Sequence, residues 1–139
     1  MIAQFSIPGA PVAKGRPRIS TRNGFARAYT PAKTVSFENR VAFAGQQAIG
    51  TAGPCEQALK LSVEVYLPIP QSWSKKKQDS AALGQLRPCA RPDVDNFAKA
   101  VLDGLNGIVW RDDAQVVELT ASKHYSISPR IDVLVSEVR

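Results

Sequence analysis

Two short acidic segments of the chain contain residues whose types and spacing suit phosphodiester chemistry. The first is Arg91-Pro92-Asp93-Val94-Asp95-Asn96, and the second contains Asp112 and Asp113. Carboxylate oxygens are the ligands that Mg²⁺ prefers, and the ion keeps waters and phosphate oxygens at its other positions. If the chain is extended from Asp93 to Asp95, both carboxylates point to the same side. These acids therefore predict a divalent-metal site with Asp93 and Asp95 as its first ligands.

The second acidic segment is expected to complete that site. Val116 and Val117 follow it directly and indicate a strand, so one of the two aspartates should point inward. We favour Asp113 as the third ligand and leave Asp112 as a solvated turn residue. Because adjacent aspartates in a turn are commonly solvated, this assignment depends on the first acidic segment.

A lysine follows the first acidic segment at helical spacing. Asp95, Lys99 and Asp103 stand at positions i, i+4 and i+8 and would form one polar stripe on a helix. Lys99 would lie near a bound phosphate, where it would stabilise developing negative charge or position the attacking water. Two structural alternatives stay open. One aspartate of the pair could serve as a helix N-cap, and the stripe could be an ion-pair ladder that contributes a few tenths of a kcal/mol per pair.

The distribution of charge predicts a polyanionic partner. The net charge is +6, and residues 93–118 hold six of the twelve acids, whereas residues 1–37 hold six bases and no acid. A protein that must hold a cation beside nucleic acid needs such an arrangement, and a mixed solvated surface is the alternative. The residues predicted to contact DNA are Lys14, Arg16, Arg18, Arg22, Arg27, Lys75, Lys76, Lys77 and Arg91.

Length and composition are typical of one domain spanning residues 1–139. No apolar run approaches the ~20 residues needed to cross a bilayer, and the first residues lack the pattern of a signal peptide. We therefore expect a cytoplasmic protein with no membrane partner and no small-molecule cofactor. Cys55 and Cys89 belong to no CxxC pair, so we expect reduced thiols rather than zinc ligands.

The hydrophobic pattern predicts an α+β fold: a small mixed β-sheet with two main helices packed on it as a two-layer sandwich. Apolar alternation and helical spacing define the elements. Strands are expected at residues 2–7, 59–67, 108–110, about 115–124 and 131–135, helices at about 32–49 and 94–106, and loops at 8–30 and 68–92. Thr30 is expected to cap the first helix, with Pro31 at its first position. The second helix would begin at the first acidic segment, with the turn at Asp112 and Asp113 beside it.

The segment 91–107, followed by 110–117, resembles the RusA family of Holliday junction resolvases. The shared pattern is Asp-x-Asp-Asn, then a lysine three residues on, then Asp-Asp-x-Gln-Val-Val. The resemblance implies a RusA-like fold and assigns metal binding to Asp93, Asp95 and Asp113 and an essential role to Lys99. The basic N-terminal region is compatible with the family but much less diagnostic.

The resemblance also implies an activity: a Mg²⁺-dependent homodimer, with Mn²⁺ as a substitute, that nicks two opposed strands of a four-way DNA junction in recombination and repair. Such genes are often carried by prophages, so the source would be a bacterium or a phage. A two-fold junction presents two equivalent cleavage points, and a symmetric homodimer would place one site at each. Phosphate contacts by the basic residues would make binding steeply salt-dependent.

Two other functions stay open at this level. The chain could be a non-catalytic nucleic-acid-binding module whose acids serve as caps and turns, or a metal nuclease that cuts flaps or single strands. A panel of junction, flap, duplex and single-stranded DNA with Mg²⁺ or EDTA would separate them. The sequence assigns no firm role to Asp103, Asp112, Glu118 or His124.

Overall fold

The computed structural model describes residues 1–15, 18–21, 24, 26–29 and 31–138, with the backbone alone at 18–20 and 27–29. In this part of the chain the main elements are β1 Ala3–Pro8, β2 Arg18–Ser20, β3 Arg27–Tyr29, α1 Ala32–Ile49, β4 Leu59–Pro68, α2 Lys75–Ala82, α3 Val94–Leu105, β5 Val116–Ser126 and β6 Arg130–Glu137. They confirm the predicted α+β class and RusA-like arrangement.

A mixed four-stranded sheet organises the molecule, in the order β1-β6-β4-β5. β6 is antiparallel to both β1 and β4, whereas β4 and β5 are parallel. A parallel pair needs a long crossover, and here that connection carries α2 and α3. The outer strands β1 and β5 are the two edges of the sheet.

The core lies between one face of this sheet and the pair α1 and α3. The alternation predicted for β4 is observed, because Leu59, Leu61, Val63 and Val65 are fully buried. α3 contributes Phe97, Val101 and Leu105, which the 3.6-residue period places on one helix face. The intervening β4 residues lie on the opposite face, which no α-helix covers among the described residues. The two-layer prediction is therefore confirmed.

Three local expectations were wrong. Residues 8–30 are not all loop, because β2 and β3 form an antiparallel pair; strands of three residues are too short to show an alternating pattern. The expected loop at 68–92 contains α2, which begins where Ser74 accepts a hydrogen bond from the Lys77 amide at 3.2 Å. Residues 108–110 form a turn held by single bridges at Trp110 rather than a strand.

The two main helices have nearly the predicted bounds. α1 covers 32–49 as expected, but Pro31 occupies the N-cap position rather than the first helical position, and Thr30 lies outside the described residues. α3 ends at Leu105, one residue early, with Asn106 as its C-cap. Across the described part of the chain, every helix is too short or too polar to span a lipid bilayer.

Candidate active site and DNA-binding surface

The first acidic pair stands at the beginning of α3. Asp93 is the N-cap residue, with an extended backbone, but its carboxylate accepts no capping hydrogen bond from the helix. Asp95 lies in the first helical turn, so the condition of an extended chain from Asp93 to Asp95 is not met. Both side chains are exposed. The N-cap alternative therefore does not account for the carboxylate of Asp93.

An open cleft of about 450 Å³ adjoins this pair, lined by Arg91, Pro92, Asp93 and Asn96. A larger groove of about 780 Å³ lies between β1 and α1 and includes Phe5 and Phe43. That groove is mainly apolar and contains none of the predicted site acids. The lining of the cleft at Asp93 combines the Asp93 carboxylate with the guanidinium of Arg91.

Two cations that the sequence analysis did not select hold the segment leading to Asp93. The ammonium of Lys123 on β5 donates to the carbonyls of Ala90 and Pro92, each at 2.9 Å. Arg87 Nε donates in return to the carbonyl of Lys123 at 2.7 Å. A signal existed in the sequence: Lys123 interrupts the strand face on which Ala121 packs against the core.

Lys99 is engaged with Asp103 rather than with Asp95. Its ammonium lies 2.8 Å from Asp103 Oδ1, and its side chain is 55% exposed. Lys14 lies 3.0 Å from Asp103 Oδ2 and 2.6 Å from Glu38 Oε1. The ion-pair ladder that the sequence left open is thus present between Lys99 and Asp103, whereas Lys99 makes no ion pair with Asp95.

This four-residue network changes the proton affinity of two groups. Burial would raise the pKa of Asp103, but hydrogen bonds from Lys99 and Lys14 outweigh it and hold that pKa below its ordinary value. Burial would lower the pKa of Lys14, yet its bonds to Glu38 and Asp103 raise that pKa. The ammonium of Lys14 is therefore committed to two carboxylates, and we leave Lys14 out of the proposed DNA contacts.

The second acidic segment has the orientation that the sequence predicted. Asp112 caps a short 3-10 turn at 113–115, where Gln115 Oε1 accepts the Asp112 amide at 2.9 Å. Asp113 is half-buried, and its Oδ1 accepts a hydrogen bond from Trp110 Nε1 at 2.8 Å. The Asp113 amide donates to Asn106 Oδ1 at 3.1 Å. Asp113 therefore points inward and Asp112 serves the turn.

The two acidic segments nevertheless lie at opposite ends of α3. Asp93 precedes the helix, which at twelve residues is about 18 Å long, whereas Asp113 contacts Asn106 just beyond its end. β5 gives a second measure, because it runs about 23 Å from Val116, beside the turn, to Lys123, beside Pro92. The expected convergence within one chain was wrong: among the described residues, no group of three or more acids, cysteines or histidines could hold a metal.

The other predicted DNA-contacting residues have mixed surroundings. Lys75 pairs with Asp79 at 3.1 Å, and Lys77 lies 4.0 Å from the centre of the Trp73 ring. Lys76 and Arg91 are exposed. Arg16 and Arg22 lie outside the described residues, as do the side chains of Arg18 and Arg27.

A gradient of charge runs along β5. Trp73 packs edge-on against Tyr125 at 5.3 Å, which brings the α2 lysines to the same end as Lys123 and Arg87. The acids Asp112, Asp113 and Glu118 lie at the other end of the strand. Each end therefore carries the opposite charge, and the Asp93–Asp95 pair lies at the basic end.

The one histidine lies on the other side of the sheet. His124 stacks on Tyr66 with ring centres 4.9 Å apart, and its Nε2 is 2.8 Å from Ser122 Oγ. Burial, with the charge of Arg87, lowers the pKa of His124. These contacts describe a structural residue, as expected for a partly exposed strand histidine.

Comparisons with known proteins agree with the resemblance. The family described as "Endodeoxyribonuclease RusA" matches residues 8–136, nearly the whole chain. The chain is also 44% identical, over 140 aligned residues, to "Uncharacterized protein YqaN" of Bacillus subtilis (strain 168), and the alignment covers 97% of this chain and 96% of that protein. Because the match extends far beyond the acidic segments, the chain belongs to the RusA family of endodeoxyribonucleases, the crossover junction resolvases.

Proposed function

We propose that this endonuclease is a divalent-metal-dependent homodimer that resolves four-way DNA junctions by paired symmetric nicks, with Mg²⁺ as its metal and Mn²⁺ as a substitute. The observation that carries the proposal is the exposed pair Asp93 and Asp95, in which the Asp93 carboxylate makes no capping hydrogen bond and shares a cleft with Arg91. A bacterial or prophage origin and a role in recombination and repair follow from the family.

The donor set fits a hard cation. Asp93 and Asp95 offer exposed carboxylate oxygens, and Trp110 engages one oxygen of Asp113. Oxygen ligands in small number suit Mg²⁺, which keeps waters and substrate oxygens as its other ligands. We propose that Asp93, Asp95 and Asp113 hold the ion. When bound, it supplies activation of the attacking water and neutralisation of phosphate charge.

Lys99 stands one helical turn from Asp95, and its ammonium is held by Asp103. A lysine partly held by a carboxylate keeps its charge and loses some rotational freedom, which lowers the entropic cost of meeting a phosphate oxygen. We propose that Lys99 contacts the scissile phosphate and stabilises the negative charge that develops there. Arg87, Arg91, Lys76 and Lys77 would contact flanking phosphates, and their contacts would make junction binding strongly salt-dependent.

We propose that a complete site draws on two chains, because α3 separates the two acidic segments of one chain. Asp113 of one chain is about 18 Å from its own Asp93, but two antiparallel copies of α3 would bring Asp113 of each chain toward Asp93 and Asp95 of the other. A two-fold axis generates this arrangement twice, because isologous contacts occur in symmetric pairs. The dimer would then carry two equivalent sites for two opposed strands.

The edge of β5 is the surface that we propose for this pairing. Its first half is exposed and includes Val117 and Leu119, which are 58% and 48% exposed. A free strand edge offers unpaired backbone groups to a second strand. If the antiparallel pairing ran along the whole of β5, the acidic end of one copy would lie against the basic end of its partner, and the charges of the two copies would be complementary.

Cleavage assays on the intact protein test the function. Synthetic four-way junction, flap, duplex and single-stranded DNA are incubated with Mg²⁺, Mn²⁺ or EDTA, and products are mapped at nucleotide resolution. We expect symmetric paired nicks in the junction, with either metal and none in EDTA. Preferential cutting of flaps or single strands would replace junction resolution as the function.

A ligand variant with a matched control tests the site. Asp95→Asn should reduce cleavage by roughly 10²-fold or more, since even the loss of an outer-shell partner costs 10–100-fold. Junction binding in EDTA should be unchanged or tighter, because one repulsion of the phosphates is removed. The control is Asp79→Asn, which removes an exposed carboxylate on α2. Wild-type cleavage by Asp95→Asn would refute the assignment.

A further inference from the structure

The segment between α2 and α3 leads to Asp93, the first residue of the proposed metal-binding pair, and has neither helix nor strand. It comprises residues 83–93. An irregular segment of this length has many alternative conformations unless hydrogen bonds select one. Its hydrogen bonds to the sheet therefore help to select one conformation of the backbone that leads to Asp93.

Three hydrogen bonds join this segment to one residue of β5. Lys123 Nζ reaches the carbonyls of Ala90 and Pro92, and Arg87 returns a bond to the Lys123 carbonyl. The Pro92 carbonyl belongs to the peptide group that bears the Asp93 amide, and a peptide group is planar. Holding this oxygen therefore restrains the orientation of the backbone from which the Asp93 carboxylate projects.

Charged donors make these bonds stronger than ordinary ones. A hydrogen bond from an ammonium to a carbonyl is roughly twice as strong as a neutral one, and Lys123 makes two of them from a half-buried position. The donor lies on β5, an element of the sheet, rather than on a second loop. These bonds thus attach the segment to the central sheet.

We propose that Lys123, assisted by Arg87, is a positioning residue for the Asp93–Asp95 metal site. Lys123 fixes the two carbonyls before Asp93, so that both carboxylates are already placed when the cation arrives. The inference rests on the proposed function. It adds a role for a residue that binds neither metal nor DNA in the cleavage step.

Measurements without metal test directly whether Lys123 restrains the segment before Asp93. Hydrogen–deuterium exchange of the protein in EDTA should be faster over residues 83–93 in Lys123→Met than in wild type, and near wild type in Lys123→Arg. Lys60→Met is the matched control, because it removes the same charge from an exposed site on β4. Arg87→Met should loosen the same segment to a smaller extent, since it removes one of the three bonds.

Metal titrations extend the test to the site. Isothermal titration with Mn²⁺ should show affinity weakened about 10- to 100-fold in Lys123→Met, the usual cost of an outer-shell defect, and restored in Lys123→Arg. Cleavage by Lys123→Met should need correspondingly more Mg²⁺ and approach the wild-type rate at saturation. Junction binding in EDTA should change no more than in Lys60→Met.

The outcomes separate this inference from the function on which it rests. If wild type cleaves the junction, Asp95→Asn does not, and Lys123→Met matches Lys60→Met in exchange and metal affinity, the positioning role is refuted and the function stands. If wild type fails to cleave the junction with any divalent metal, the proposed function itself is refuted. A loss of cleavage in Lys123→Met that saturating metal does not restore would also count against positioning.

Discussion

The aspartates of this nuclease differ in the hydrogen bonds and ion pairs that their carboxylates make. Asp103 receives two ammonium groups, and Asp112 closes a short turn. The Asp93 carboxylate is exposed and makes no cap, although it stands at a helix start where capping is common. A helix N-terminus favours negative charge. Exposed carboxylates at such a position, with no capping bond at Asp93, are suited to a cation.

Asp103, which is held by two lysines, should make the stability of the fold depend on pH. The pKa of Asp103 is held below its ordinary value by hydrogen bonds that outweigh burial. A lowered pKa stabilises the fold above the ordinary pKa of the carboxyl group, and this contribution is lost as the pH falls through the folded-state value. We therefore expect Asp103→Asn to be less stable than wild type near neutral pH, with the difference shrinking in acid.

Urea unfolding of both proteins at about pH 7 and about pH 3, on either side of the ordinary carboxyl pKa, measures this change. Asp79→Asn serves as the control, because its exposed pair with Lys75 should contribute little. An equal stability difference at both pH values would show that Asp103 acts through shape rather than charge.

At the scale of elements, the close approach of α1 and α3 determines where the acids stand. The two helices meet at Gly104 and Gly45, where small residues allow the backbones to come close. A Cβ added to Gly104 would lie 2.7 Å from Val41 Cβ and 3.0 Å from the Glu38 carbonyl. Any increase in this spacing would lift α3 from the sheet, together with the cleft at its start.

A substitution at this crossing tests the packing. Gly104→Ala gains about 1 kcal/mol of helix propensity, but the added methyl group meets a Cβ and a backbone oxygen that cannot rotate away. Overpacking of this kind lowers the free energy of unfolding by roughly 1–3 kcal/mol. Because this cost exceeds the gain in helix propensity, we expect a net loss of stability. Urea denaturation measures it as a lowered midpoint.

Gly45→Ala provides the comparison. Its added methyl group would lie 2.5 Å from Leu105 Cδ2, the end of a flexible side chain that can shift. The loss of stability should therefore be smaller than at Gly104. A stabilised Gly104→Ala protein would show that the helices are farther apart in solution than described here.

At the scale of the whole molecule, the proposed dimer would account for both the separation of acids along α3 and the charge gradient along β5. A two-fold partner placed antiparallel on the β5 edge would complete both metal sites and neutralise both ends. The basic residues of the two copies would then lie on the dimer as a pair of patches, one beside each site. Such symmetry matches a substrate with two equivalent strands.

Subunit mixing tests this arrangement. Asp95→Asn and Asp113→Asn should each be inactive alone, but a heterodimer of the two would place both substitutions in one shared site and leave the other site intact. After equal mixing with subunit exchange, about half of the dimers are heterodimers, and each heterodimer has one intact site and one inactive site. The mixture should therefore have about a quarter of the active sites of the wild-type protein. The products should be single nicks rather than paired ones.

Mixed subunits that stay inactive, with exchange verified by differently tagged chains, would contradict the shared site. Mixing Asp95→Asn with Asp93→Asn is the control, because each heterodimer site then carries one substitution. That mixture should remain inactive in the shared-site arrangement.

Local patterns were enough to predict much of this protein. The alternation in β4, the helical spacing of α3, the bounds of α1 and the inward turn of Asp113 arise from contacts near in sequence. The order of aspartates, lysine and glutamine also led to the family. Short strands and the polar helix α2 escaped prediction, because three residues show no period and a lysine-rich helix shows no apolar stripe.

Only the tertiary structure decided how the acidic segments stand to each other. Asp113 follows α3 closely in sequence and lies beside the C-terminal end of that helix. Asp93 lies at the N-terminal end, so the length of α3 separates the two aspartates. The roles of Lys123 and Arg87 likewise depend on a strand and a loop that meet more than thirty residues apart in sequence. Distances between residues in a fold depend on the relative directions of its helices and strands. The spacing of residues along the sequence does not specify those directions.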